Sequence, residues 1–294
     1  MQDGPLAEKI VQAFEGMSEQ LQVAARYLLE HPREVALLSM REQARQADIQ
    51  PATMTRLAKH LGYAGYDEVR LLYADAMRSD GTGFAGLAAA QVKKQKLKGD
   101  RALAADMLDG VGAQVAALSR PAMLESMADA ARRIERARRV YCLGLRSSHS
   151  AAWHLHYILS IAGKQSVMLD AVGGIGADAL SSATPNDVLV AVSVLPYTRQ
   201  TVEITEYAHS CDVPVVAITD SIVAPHALHA AVALIVPTES PSFLHTMSPG
   251  FVVAEILGAL VAGRSGDAAS AALARVDRQS AALDTHLKAR VRRQ

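Results

Sequence analysis

Two hydroxyl-rich turns carry the chemistry most readily read from this chain. The first, Gly144-Leu145-Arg146-Ser147-Ser148, follows an apolar run (Val140-Tyr141-Cys142-Leu143) too short for a helix. After it, Ala151, Ala152, Leu155, Ile158, Leu159 and Ala162 recur at helical spacing up to Gly163. Strand, small-residue turn and helix together place backbone N–H groups and the positive end of a helix in front of an anion. The second turn, Ser193–Thr201 (SVLPYTRQT), also follows an apolar run and opens a helix. Gly144, Arg146, Ser147, Ser148, Ser193, Tyr197, Thr198 and Thr201 are therefore the candidates for gripping a phosphate or carboxylate. Acid–base catalysis would need a general base near its substrate. Only Glu239 with His245 offers such a pair, so no catalytic residue is assigned. His149, His154 and His156 lack the i, i+4 spacing of a helical metal site, and the histidines are expected at a surface or interface. No metal or cofactor is implied.

A different chemistry sits near the N-terminus. Ser39-Met40-Arg41-Glu42 matches a capping box and opens a short helix that ends at Asp48-Ile49-Gln50. Pro51 then opens a second helix, with Met54, Leu57, Ala58 and Leu61 expected inward. Short helix, turn with one apolar plug (Ile49) and second short helix make a helix-turn-helix pattern. Thr53, Thr55, Arg56 and Lys59 are expected on the outward face, with Pro51 at its start and Arg41 on the first helix. Hydroxyls and an Arg fork near a helix start can reach base edges, and Lys can meet phosphate. The competing reading is a solvated face on an ordinary helical bundle. Residues 1–80 hold nine basic and twelve acidic residues, a net charge of −3, so any nucleic-acid contact depends on a local patch and on pairing of two copies.

The elements that position these groups follow from patterning. Residues 5–80 read as closely spaced helices. Residues 81–105 read as a linker loosened by Gly81, Gly83 and Gly86, with a basic run at Lys93, Lys94, Lys96 and Lys98 that reads as a solvated helix joining the domains, a supplementary phosphate-backbone contact being the alternative. Residues 106–266 alternate helix and strand, with apolar runs at 140–143, 166–169, 187–194, 213–219 and 231–236 and a last helix over 242–262. This pattern predicts an α/β unit with a doubly wound, five-stranded parallel sheet behind an all-α N-terminal domain. Residues 267–294 are expected to form a helical tail. Arg138 and Arg139 read as a solvated helix end. The 294 residues are half hydrophobic with zero formal net charge, which favours neither bulk nucleic-acid nor membrane association. Cys142 and Cys211 form no framework, and neither an N-terminal leader nor a spanning segment is visible, so a cytoplasmic protein is expected.

The run Ser39–Tyr66, SMREQARQADIQPATMTRLAKHLGYAGY, resembles the N-terminal domain of the RpiR/MurR family of bacterial transcriptional regulators through its Pro-Ala-Thr-x-x-Arg-x-x-x-x-Leu-Gly-Tyr-x-Gly string at Pro51–Gly65. It departs at Gln50, where the family usually has a serine N-cap. The second half resembles the SIS (sugar isomerase) domain, in a flavodoxin-like arrangement. Gly144 and Ser148 match its Gly-x-Gly-x-Ser pattern, and Ser193 and Thr198 its Ser-x-Ser-Gly-x-Thr pattern. Arg146, Leu195 and Pro196 replace a glycine, a serine and a glycine. The resemblance implies a regulator that binds double-stranded operator DNA as a homodimer or tetramer and senses a small anionic metabolite of the sugar-phosphate class. The guanidinium gained at Arg146 also suits a carboxylate. A sugar-phosphate isomerase, or a ligand-binding oligomer without a DNA role, are the alternatives.

Overall fold

The computed structural model describes residues 5–79, 84–170, 175–222 and 224–287. The chain divides into two units, Met1–Gly110 with Glu239–His245, and Val111–Thr238 with Thr246–Gln294.

The first unit starts with six helices: α1 (Pro5–Ala13), α2 (Glu19–Glu30), α3 (Pro32–Leu37), α4 (Met40–Gln46), α5 (Pro51–His60) and α6 (Tyr66–Ser79). Prolines at the first turns of α3 and α5 fix φ where no intrahelical N–H is needed. Ile10, Leu28, Val35, Met54, Leu57 and Val69 are fully buried. Among them lies Gln43, also fully buried. Its amide donates to the Val35 carbonyl at 3.1 Å and the Leu38 carbonyl at 2.8 Å, and its side-chain oxygen accepts from the Tyr66 hydroxyl. One side chain thus ties α4 to α3 and α6 with its polar atoms satisfied, as burial requires. The linker stretch is helical: α7 (Phe84–Lys98) and α8 (Asp100–Ala117) occupy it, with Gly86 inside α7 and Lys94 paired to Asp106 at 2.8 Å. Gly81 and Gly83 lie outside the described residues. The division between units falls in α8.

In the second unit, α9 (Pro121–Arg136) leads into β1 (Val140–Gly144), α10 (His149–Ile161), β2 (Ser166–Leu169), β3 (Val188–Val192), α11 (Arg199–Ser210), β4 (Val215–Thr219), β5 (Val232–Ile235), α12 (Ser248–Ser265) and α13 (Asp267–Ala282). The strands are all parallel, in the order β2-β1-β3-β4-β5. Alternate residues serve opposite faces. Val140, Cys142, Val188, Val190, Val192, Val216 and Ile218 pack with buried residues of α9, α10 and α12. Tyr141, Leu143, Leu189, Ala191 and Val215 pack with Ile204 and Ala208 of α11. Full burial on both faces explains why the central strands read as unbroken apolar runs.

Three expectations are corrected. The last helix begins at Ser248, not 242, because Pro249 suits only a first turn; Glu239–His245 belongs to the other unit. Arg138 is no free helix end. Its Nε and Nη2 donate to Asp187 at 2.9 and 2.7 Å, and Asp187 is buried and also accepts from the Thr184 N–H and hydroxyl. Burial opposes the Asp187 charge, but these donors outweigh it and hold the carboxyl below its usual range. The pair staples the start of β1 to that of β3. Finally, His226 is no surface histidine. It is 0 % exposed on a 3-10 turn (Pro225–Ala227), and neither ring nitrogen has a hydrogen-bond partner.

Burial pushes His226 down to about 4, against a small opposing effect of the Ile218 backbone. Between that value and the ordinary 6.5 the unfolded chain binds a proton that the native chain refuses. Stability therefore rises with pH across that window, by on the order of 3 kcal/mol for this group. Urea denaturation of the protein against its His226→Phe variant is expected to show a shallower loss of stability in the variant on acidification from pH 7 to pH 4. Identical slopes would contradict this placement.

Candidate functional site

Two sites emerge, one in each unit. In the first, Ser39 caps α4, its hydroxyl accepting from the Glu42 N–H at 3.3 Å. Only half of the expected capping box forms, because the Glu42 carboxylate turns to Arg45 (2.9 and 2.5 Å). Asp48 adopts φ +53°, one of the few non-glycine residues that tolerates this region, and Ile49 plugs the turn. Gln50 makes no side-chain cap to α5, as its chemistry predicts. On α5, Arg56, Lys59 and His60 are exposed, Pro51 and Thr55 are partly so, and Arg41 is exposed on α4.

Thr53 is the exception and corrects the sequence reading. It is 1 % exposed, sharing the buried face with Met54, Leu57 and Ala58. Its hydroxyl accepts from Arg56 Nη2 at 3.1 Å, so it orients a guanidinium and cannot itself reach a base. The turn also opens onto a groove of about 510 Å³ lined by Arg45, Asp48, Gln50, Thr53 and Arg56. Arg45, which the sequence places in the local basic patch of the motif with Arg41, Arg56 and Lys59, is part of this lining.

In the second unit, β1 and β3 are neighbours with Gly144 level with Val192. The order of strands reverses between them, so the two turns leave the sheet side by side at a topological switch point. Gly144 is required: a Cβ there would lie 2.7 Å from both the Ser148 carbonyl oxygen and the Ala152 Cβ. Arg146 follows with φ +55° and is exposed, Ser147 is partly buried, and Ser148 is buried at the start of α10 with no capping bond from its side chain. Beyond β3, Ser193 is buried, Thr198 precedes α11 without a capping bond, and Thr201 is fully buried with its hydroxyl unpartnered. Hydroxyls and two helix N-termini are thus gathered at adjacent strand tips.

Asp220, just after β4, shapes the second turn. Its Oδ2 accepts from the Leu195 N–H at 3.3 Å, and its Oδ1 from the Tyr197 hydroxyl at 3.0 Å and the Thr219 hydroxyl at 3.2 Å. Burial raises its pKa, partly offset by these donors. The Tyr197 ring packs edge-on to His226 at 5.7 Å. The signal for this role in the sequence is the place of Asp220 just after a strand that flanks the turn. Among the described residues no group of three or more His, Cys, Asp or Glu is placed to hold a metal ion, and no helix is long and apolar enough to cross a membrane.

Comparison with known proteins agrees with both halves. The rpiR-family helix-turn-helix domain matches residues 4–80 and the SIS domain residues 133–258. The sugar isomerase domain of the RpiR transcription factor from Sphaerobacter thermophilus is 28% identical with a TM-score of 0.55, over 60% of this chain and 98% of that one. The Vibrio vulnificus NanR protein complexed with ManNAc-6P shares the fold at 22% identity and a TM-score of 0.52, over 95% of this chain and 98% of that one. The bifunctional protein glk of Burkholderia orbicola is 28% identical over 229 residues, 77% of this chain and 34% of that protein. The chain thus spans about a third of the curated relatives it matches. The chain thus carries an rpiR-family helix-turn-helix domain at one end and a SIS domain at the other.

Proposed function

We propose that this chain is a cytoplasmic transcriptional regulator that reads a two-fold operator as a dimer and releases or engages it when its sheet domain binds a small anionic metabolite of the sugar-phosphate class. The observation that carries the reading is that buried Ser148 and Ser193 lie at the tips of two adjacent parallel strands, in the turns that lead into α10 and α11. Such a constellation supplies N–H and O–H donors to one anion without further charge. NanR, which shares the fold, is complexed with a sugar phosphate, ManNAc-6P, in its own structure. Arg146 adds a cation that also accepts a carboxylate.

DNA reading rests on Arg56, held by Thr53, with Thr55 and Lys59 on the same exposed side of α5 and Arg41 on α4. Ligand acts on DNA affinity only through unequal affinity for the two arrangements of the paired readers. The chain catalyses no isomerisation in this reading.

Fluorescence anisotropy on the protein's own upstream DNA tests the reading. Arg56→Ala is expected to weaken binding by about 10- to 100-fold, one bidentate base contact being worth roughly 1–3 kcal/mol. Unchanged affinity would displace the reading face from α5. Sugar phosphates that alter this affinity are expected to raise the melting temperature as well. Ser148→Ala should weaken that ligand about tenfold, near the 1–1.5 kcal/mol of one hydrogen bond, while leaving unliganded DNA binding intact. Turnover of aldose or ketose phosphates by purified protein would instead establish the isomerase alternative.

A further inference from the structure

Two donors of the turn after β3, the Leu195 N–H and the Tyr197 hydroxyl, are given to one carboxylate. Asp220 Oδ2 accepts from Leu195 at 3.3 Å, and Oδ1 accepts from Tyr197 at 3.0 Å and from the Thr219 hydroxyl at 3.2 Å. Hydrogen bonds to an ionised oxygen ordinarily close to about 2.5–2.9 Å, so all three are long for their kind and readily exchanged. Asp220 sits one residue beyond β4 and keeps part of its surface exposed, while burial of the rest opposes its charge. The Tyr197 ring, by contrast, is seated against Ala217, Ala224 and Ala227 and lies edge-on to His226. The carboxylate is therefore the part of this contact that can turn away, and the turn is the part that stays.

We propose that Asp220 is a latch and a selectivity filter at the strand tips: its carboxylate holds these two donors until a phosphoryl group takes them over, and a lone carboxylate does not displace it. The proposal rests on the ligand reading given above and chooses between the two anion classes that the hydroxyl-rich turns allow. Two anions cannot share the same donors without repulsion, so a ligand that uses them must first move Asp220. A carboxylate that did so would exchange one charge for one charge, with nothing gained. A phosphoryl group brings about 1.5 to 2 charges at pH 7 and three acceptor oxygens, enough to take over these donors and still reach the Ser148 and Thr198 hydroxyls. In the unliganded protein the latch keeps the turn's donors satisfied, as their partial burial requires. Asp220 thus lowers affinity and raises selectivity. A carboxylate that only scaffolds the turn would do the reverse, since its removal would loosen the turn and weaken every anion.

Isothermal titration of the full chain with inorganic phosphate, and with acetate at the same ionic strength, tests this. The unmodified protein is expected to bind phosphate and to take acetate several-fold more weakly. Asp220→Asn removes the charge and keeps an acceptor of the same shape. It is expected to bind phosphate about tenfold tighter, the difference between a charged and a neutral acceptor at one hydrogen bond, and to narrow the gap to acetate. Adding Ser148→Ala should cancel that gain, which places the phosphate at the strand tips and not on the basic face of α5. If Asp220→Asn fails to fold, Asp220→Ser, a smaller neutral acceptor, is titrated in its place with the same expectation. A folded variant that binds phosphate no better than the unmodified protein, or a gain that Ser148→Ala leaves untouched, overturns the latch while the sugar-phosphate reading stands. An unchanged gap to acetate overturns the filter. If neither inorganic phosphate nor any sugar phosphate binds either protein, the latch and the ligand reading fall together.

Discussion

The structure depends most on the parallel ladder between β1 and β3, which sets Gly144 level with Val192. Because that register is fixed, each chain leaves the sheet at the same height, and each turn opens a helix whose N-terminus faces the same end of the sheet. The register is itself secured from both ends. At the start of the strands Arg138 grips Asp187, and at their tips Gly144 leaves room for the Ser148 carbonyl and Ala152. Apolar burial on both faces holds the middle, since a parallel strand has no solvent side to slip towards.

The tip of β3 differs from a simple anion cradle in having an acid of its own. Asp220 takes up the Leu195 N–H and the Tyr197 hydroxyl, so those donors are committed within the protein. Donors that remain for a ligand are the hydroxyls of Ser148, Ser193 and Thr198, with Arg146 on the rim. The serine and glycine replaced by Leu195 and Pro196 fall in the segment that Asp220 holds. Loss of donors there and the gain of a carboxylate clamp act together, since an internal acceptor satisfies the backbone that an external anion would otherwise meet.

Much of this was legible in the chain. Short apolar runs followed by small or hydroxyl-bearing turns marked the five strands, since a strand covered on both faces must be apolar throughout. The Ile49 plug and Pro51 marked the helix-turn-helix because an apolar residue in a tight turn and a proline at a helix start have few other uses. What escaped notice depended on long-range partners. Thr53 looked outward because it is polar, yet it lies one turn from Leu57 and so shares its buried face. Arg138 and Asp187 are far apart in sequence, and neither signals the other. His226 is polar in type but sits under Tyr197, among small apolar residues that composition cannot place. The linker stretch, by contrast, read as a solvated joining helix, and its Ala-, Leu- and Gln-rich composition has the helix propensity that α7 and α8 need.

The account stands on the two strand tips acting as one receptor for a negative charge. A crystal structure of the protein with a sugar phosphate that shifts its operator affinity tests this most directly. The phosphate is expected between the β1 and β3 turns, within hydrogen-bond distance of the Ser148 and Thr198 hydroxyls. A phosphate bound elsewhere, with Ser148 and Thr198 turned away from each other and from the ligand, would contradict it.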